Sequence, residues 1–208
     1  MGVQIRIVPD ALRNAAEKQH MIANHVGVNR SELKQVIHMI DEAWDGPISE
    51  EIQDMLRNVG NILEELETCY DDNAQRLNGI LEAFEAIDSD EPRIRAVGLD
   101  RVFHLVGCPK PVFALSWKAD RIRIIPDEIR LASERCREMR DSFVELEDKT
   151  MDVIHDLEAN WEGNAYNKYR EQTEDTIKTL KDVQEFLAET ADTMSKAAIR
   201  YEEWDNSF

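Results

Sequence analysis

The sequence predicts an all-α protein: two antiparallel helical hairpins packed as a four-helix bundle and joined by an irregular or short-stranded linker. Three observations predict it. The chain repeats itself, because Ile5-Arg6-Ile7-Val8-Pro9-Asp10 returns 117 residues later as Ile122-Arg123-Ile124-Ile125-Pro126-Asp127, and Trp44-Asp45-Gly46 returns as Trp161-Glu162-Gly163. Laying residues 5–88 on 122–205 needs no gap and makes 17 of 84 positions identical, a period and a match that mark an internal duplication. Each copy carries two runs of apolar residues spaced three and four apart, the pattern of a helix with one buried face. The eight Gly and six Pro gather at the joints of this pattern, where an all-β chain would spread them along its turns. The resulting division is a first hairpin over residues 1–88, a linker over 89–121 and a second hairpin over 122–208.

The first helix opens after Pro9-Asp10. Proline fits the first turn, where its missing N–H costs nothing, and the aspartate is expected to meet the exposed N–H groups and the positive end of the helix dipole. Its inward stripe runs Leu12, Ala15, Gln19, Ile22, Val26, Asn29, Leu33, Val36, Ile40 and Ala43. Gly46 suits the left-handed residue that ends a helix and Pro47 the first turn of the next. The second stripe follows through Ile52, Leu56, Val59, Leu63, Leu66, Tyr70, Asn73, Leu77, Ile80, Phe84 and Ile87.

Residues 89–121 have no counterpart in the repeat. Pro92, Gly98, Gly107, Pro109 and Pro111 interrupt helix formation there, while Val102-Phe103-His104-Leu105-Val106 and Val112-Phe113-Ala114-Leu115-Ser116-Trp117 are apolar. Two short strands around a turn, or an apolar strap along the helices, both fit this pattern. Helices of about 40 residues measure roughly 60 Å, and 33 residues reach about 110 Å when extended, so the segment is long enough to run the length of an antiparallel bundle.

The second copy repeats the plan with Ile129, Ala132, Cys136, Met139, Phe143, Leu146, Val153 and Leu157, then Tyr169, Leu180, Val183, Leu187, Met194, Tyr201 and Trp204. Thr150, Thr173, Thr176 and Thr190 lie on the same stripes. They weaken that seam, so the second copy is expected to rely on a partner helix pair to bury its face.

Composition narrows the functions open to such a bundle. A chain of 208 residues with 42 % apolar content has enough to bury a core and is not patterned as disordered. Its net charge of −18 argues against a nucleic-acid surface, which needs clustered Lys and Arg, and against anionic membranes. No apolar run is long enough to span a bilayer. The start, Met1-Gly2-Val3-Gln4-Ile5-Arg6, lacks the apolar region and cleavage site of a secretory signal peptide, and the Ser or Thr that myristoylation takes. Cys69, Cys108 and Cys136 form no CxxC pair and cannot all be bridged within one chain. Cys69 and Cys136 align with Phe186 and Gln19, outside the repeated plan, and they read as buried small apolar side chains, with a redox pair as the alternative.

Catalysis has no candidate residue: GxSxG, Walker, HExxH and Gly-rich dinucleotide patterns are missing. A di-iron bundle needs two Glu-x-x-His motifs, and only Glu17-Lys18-Gln19-His20 is present, with Arg137 at the place of the histidine in the second copy. The repeated His38 and His155 read as helix-end packing or dipole contacts. No metal and no cofactor is expected.

A helical hairpin with Trp-x-Gly at its turn, here Trp44-Asp45-Gly46 and Trp161-Glu162-Gly163, resembles the WXG superfamily of type VII secretion substrates, and the likeness covers both copies. The family's export signal is a Tyr-x-x-x-Asp or Tyr-x-x-x-Glu near the end of the second helix. Tyr201-Glu202-Glu203-Trp204-Asp205 fits it, with phenol and carboxylate four residues apart on one helix face; the first copy has Phe84 in place of the tyrosine. The resemblance implies a non-enzymatic substrate or co-secreted helical partner of a type VII (ESX-like) system, exported without a signal peptide. Tyr201 and Asp205 would be the targeting elements. Trp44, Gly46, Trp161 and Gly163 would shape the turns, with the Trp side chains closing the groove beside the signal. The implied partners are the secretion machinery and another helical substrate or effector. Two copies in one chain could form the family's dimer internally, as a pseudo-dimer. A cytosolic adaptor or chaperone that takes the helical N-terminal region of a larger effector into a groove is the alternative.

Overall fold

The computed structural model describes residues 6–88 and 123–207, with Arg6 and residues 86–88 described in their backbone alone. The expectations for the two apolar stretches of the linker and for Cys108 lie outside the described residues. The chain opens with β1 (Arg6–Ile7) and α1 (Pro9–Ala43), then β2 (Trp44–Asp45) and α2 (Pro47–Asp88). The second half repeats this as β3 (Arg123–Ile124), α3 (Pro126–Asn160), β4 (Trp161–Glu162) and α4 (Asn164–Asp205). Helix lengths agree between halves, 35 residues for α1 and α3 and 42 for α2 and α4. This is the all-α, four-helix bundle that the apolar periods predict.

Each hairpin packs along its own length, and α1 lies against α3 across the middle, while α2 and α4 approach each other closely at few points. The direction of crossing follows from the strands. β1 pairs antiparallel with β4, Ile7 opposite Trp161, and β2 pairs with β3, Trp44 opposite Ile124. The start of α1 therefore meets the end of α3, and the end of α1 meets the start of α3. The two hairpins run opposite ways, and the contacts at the two ends are the same contacts with the halves exchanged. Val8 donates its N–H to the carbonyl of Asn160 at 3.0 Å, and Ile125 donates to that of Ala43 at 2.8 Å.

The stripes bury as their spacing predicts. Every residue named on the α1 stripe is buried, as are those from Ile129 to Leu157 on α3. The main apolar cluster draws on all four helices, from Ile22, Leu33 and Ile40 through Leu56 and Leu63 to Phe143, Leu180 and Met194. Fully burying one such side chain contributes about 1.5–3 kcal/mol. A second cluster at the β1/β4 end joins Leu12 and Leu77 to Val153, Leu157 and Trp161. The stripe of α4 departs from expectation at its end, where Trp204 is 59 % exposed.

Of the four threonines on the stripes of the second copy, Thr150, Thr173 and Thr176 keep a hydrogen bond when buried, whereas the buried hydroxyl of Thr190 has no partner among the described residues. Thr150, Thr173, Thr176 and Thr179 each donate to the carbonyl four residues back, at 2.7–3.2 Å, the helix-internal solution open to a hydroxyl. Two of them also meet the first hairpin, Thr150 at Tyr70 (2.9 Å) and Thr176 at Cys69 (3.7 Å).

Two local expectations are corrected. Neither helix start is capped by its aspartate: Val8 and Ile125 occupy the cap positions in extended conformation, and their aliphatic side chains offer no acceptor to the first-turn N–H groups. Asp10 and Asp127 sit in the first turn instead and bind Arg13 and Arg130 at 2.6 and 3.1 Å. Gly46 does not end α1. The helix stops at Ala43 because Trp44 and Asp45 go extended to reach β3, and the glycine, with φ of 142°, turns the chain into α2.

Candidate functional site at the end of the last helix

The last two turns of α4 return to the start of α3, which places them at the β2/β3 end of the bundle. Tyr201 is half-buried and packs against the main cluster, which at this end contains Trp44, Ile124 and Ile129. Its ring lies 6.2 Å from that of Trp204, at 46°. Asp205, the last residue of α4, is exposed. The helix remains intact through both residues, so one turn separates the phenol from the carboxylate. Beyond it, Asn206 donates its N–H to the carbonyl of Glu202 at 2.9 Å and Ser207 closes on Trp204.

Glu202 fixes this end. It forms an ion pair with Arg130 of α3, which also holds Asp127. The Arg130 guanidinium lowers the Glu202 carboxyl below its ordinary range, and the hydrogen bond is the main cause. Arg13 binds Asp10 and Glu85 in the same pattern at the other end, at 2.6 and 3.2 Å. Sequence reasoning passed over this anchor, although both of its residues are identical in the gap-free alignment, Arg13 with Arg130 and Glu85 with Glu202.

The two Trp side chains are core residues of opposite ends. Trp44 is 4 % exposed and lies at the end where α4 terminates. Trp161 is 2 % exposed and stacks at a tilt on Tyr166 and Tyr169, with ring centres 5.7 and 5.9 Å away. Only Trp44 is near enough to shape the surroundings of Tyr201; the expectation that both Trp side chains close that groove is corrected for Trp161, which the antiparallel crossing carries to the far end.

Gly46 and Gly163 hold φ of 142° and 134°, a region that L-residues with a side chain seldom enter. A Cβ on either would meet nothing within 4 Å, so glycine is required by the backbone and not by space.

Residues 121–206 match the family WXG100, proteins of 100 residues with WXG. The match takes in the whole second hairpin, from β3 to the end of α4. WXG100 proteins are small helical secreted proteins rather than enzymes, associated with type VII secretion, and they often pair with other WXG proteins. No curated protein and no solved structure matches the chain.

Other sequence candidates stay apart. His38 and His155 are exposed, and His38 faces Glu42 at 3.4 Å on its own helix. His20 pairs with Asp71 at 2.8 Å, beside a shallow groove between α1 and α2. Among the described residues no group of three or more His, Cys, Asp or Glu could hold a metal ion, and no helix is long and apolar enough to cross a membrane. Cys69 and Cys136 are buried and unpaired, and burial pushes the Cys136 thiol up to about 12.

Proposed function

We propose that the chain is a non-enzymatic type VII secretion substrate, or the co-secreted helical partner of one, in which a fused pair of WXG-like hairpins forms the bundle internally and Tyr201 with Asp205 provides the targeting signal. The observation that carries this reading is the last turn of α4. Its tyrosine is half-buried and therefore fixed in direction, its aspartate is exposed one turn later, and both stand on a helix end tied down by Glu202. A receptor groove reads such an end as a preformed helical epitope. The WXG100 match over the second hairpin supports the same reading.

The test is export in the native host. Wild type, Tyr201→Ala and Asp205→Ala are compared in culture supernatant and cell lysate, with a cytosolic lysis marker. Wild type outside and both folded variants inside is the expected result. Retention of all three in the lysate would replace export with the cytosolic adaptor.

A further inference from the structure

Two pairs of buried polar side chains on the inward stripes bridge the hairpins. Gln19 of α1 donates its amide to the hydroxyl of Tyr169 of α4 at 2.7 Å, both buried. The hydroxyls of Tyr70 of α2 and Thr150 of α3 lie 2.9 Å apart, both buried. Exchanging the halves moves each position by 117 residues. The first pair then falls on Cys136 and Ile52, and the second on Leu187 and Leu33. All four are apolar and buried in the main cluster. At these positions polar therefore faces polar and apolar faces apolar, but only when a first hairpin meets a second.

We infer that these pairs encode the pairing of the hairpins, making the union of first with second exclusive and disfavouring either hairpin's union with its own kind. If two first hairpins paired through the same faces, Gln19 would face Ile52 and Tyr70 would face Leu33, stranding a buried amide and a buried phenol. If two second hairpins paired, Tyr169 would face Cys136. Stranded buried polar groups carry the full desolvation penalty, whereas a matched apolar pair carries none, and a mismatch that penalises the wrong partner is how related interfaces discriminate. A second copy of this chain can then associate through these faces only by exchanging hairpins, not by like-with-like docking.

The code can be moved without changing composition. In the full chain carrying Ile52→Tyr, Tyr169→Ile, Leu33→Thr and Thr150→Leu, the polar pairs match between two first hairpins, and the apolar ones between two second hairpins. Sedimentation at about 20 µM is expected to find wild type monomeric and the exchanged variant self-associating at least tenfold more tightly. An exchanged variant that folds and stays as monomeric as wild type overturns the inference. If the exchanged variant fails to fold, denaturant unfolding of Tyr169→Ile and of Gln19→Cys/Tyr169→Ile decides. The double variant installs the pair found at the symmetric position and is expected to recover at least tenfold in the unfolding equilibrium over the single one, and no recovery overturns the code.

Discussion

At Gly163 nothing occupies the space a methyl group would take, and the constraint is wholly in the backbone. Gly163→Ala is expected to cost about 1–3 kcal/mol in denaturant unfolding, and Gly46→Ala a similar amount; a neutral result at both would show that the turns relax to an ordinary φ. Trp161→Ala removes a packed ring and is expected to cost about 3–5 kcal/mol. Reactivity follows burial as well. The thiolate is the nucleophile, and burial raises the pKa of both Cys69 and Cys136. In native protein at pH 8, peptide mapping after alkylation should find these two unmodified, and both modified once the chain is unfolded.

For the elements, the end of α4 depends on one charge contact. Because the folded-state pKa of Glu202 lies below its ordinary value of 4.5, the contact stabilises above that pH and fades as pH falls through the lowered value. Arg130→Met is expected to speed amide exchange over residues 199–205 at pH 7, and the difference from wild type should shrink below pH 4. An unchanged exchange rate at pH 7 would show that Tyr201 packing alone holds the helix end. The four helices were legible because their stripes keep a period of three and four over many turns, and the stripe of α1 was read without error. The strands were not. Two extended residues carry no periodicity, and what makes β1 and β3 strands is a partner far along the chain, Glu162 for Arg6 and Trp44 for Ile124, which a local pattern does not contain. The same blindness misplaced the cap: a sequence shows that Asp10 follows Pro9, not that Val8 goes extended beside Asn160 of the other hairpin and takes the cap position with an aliphatic side chain.

Over the whole molecule, one apolar cluster spans both hairpins, so they should unfold together. Calorimetry is expected to give a single transition with matching calorimetric and van't Hoff enthalpies, and Leu33→Ala should lower it as one, at a cost of about 2–5 kcal/mol. Two resolved transitions would mean that the halves are independent. The candidate site was legible in part. Tyr201 and Asp205 stood out as a motif, and the resemblance already implied an antiparallel bundle with the two turns at opposite ends; the strand pairing is what brings Trp44 and not Trp161 to the end of α4. The antiparallel crossing also has a mechanical consequence. A force drawn on the chain at Asp205 along the rod does not peel α4 away one turn at a time; it loads all 42 residues of that helix in shear against α3, with the Arg130–Glu202 clasp first in line, so the bundle resists most strongly along the axis on which its last helix is pulled.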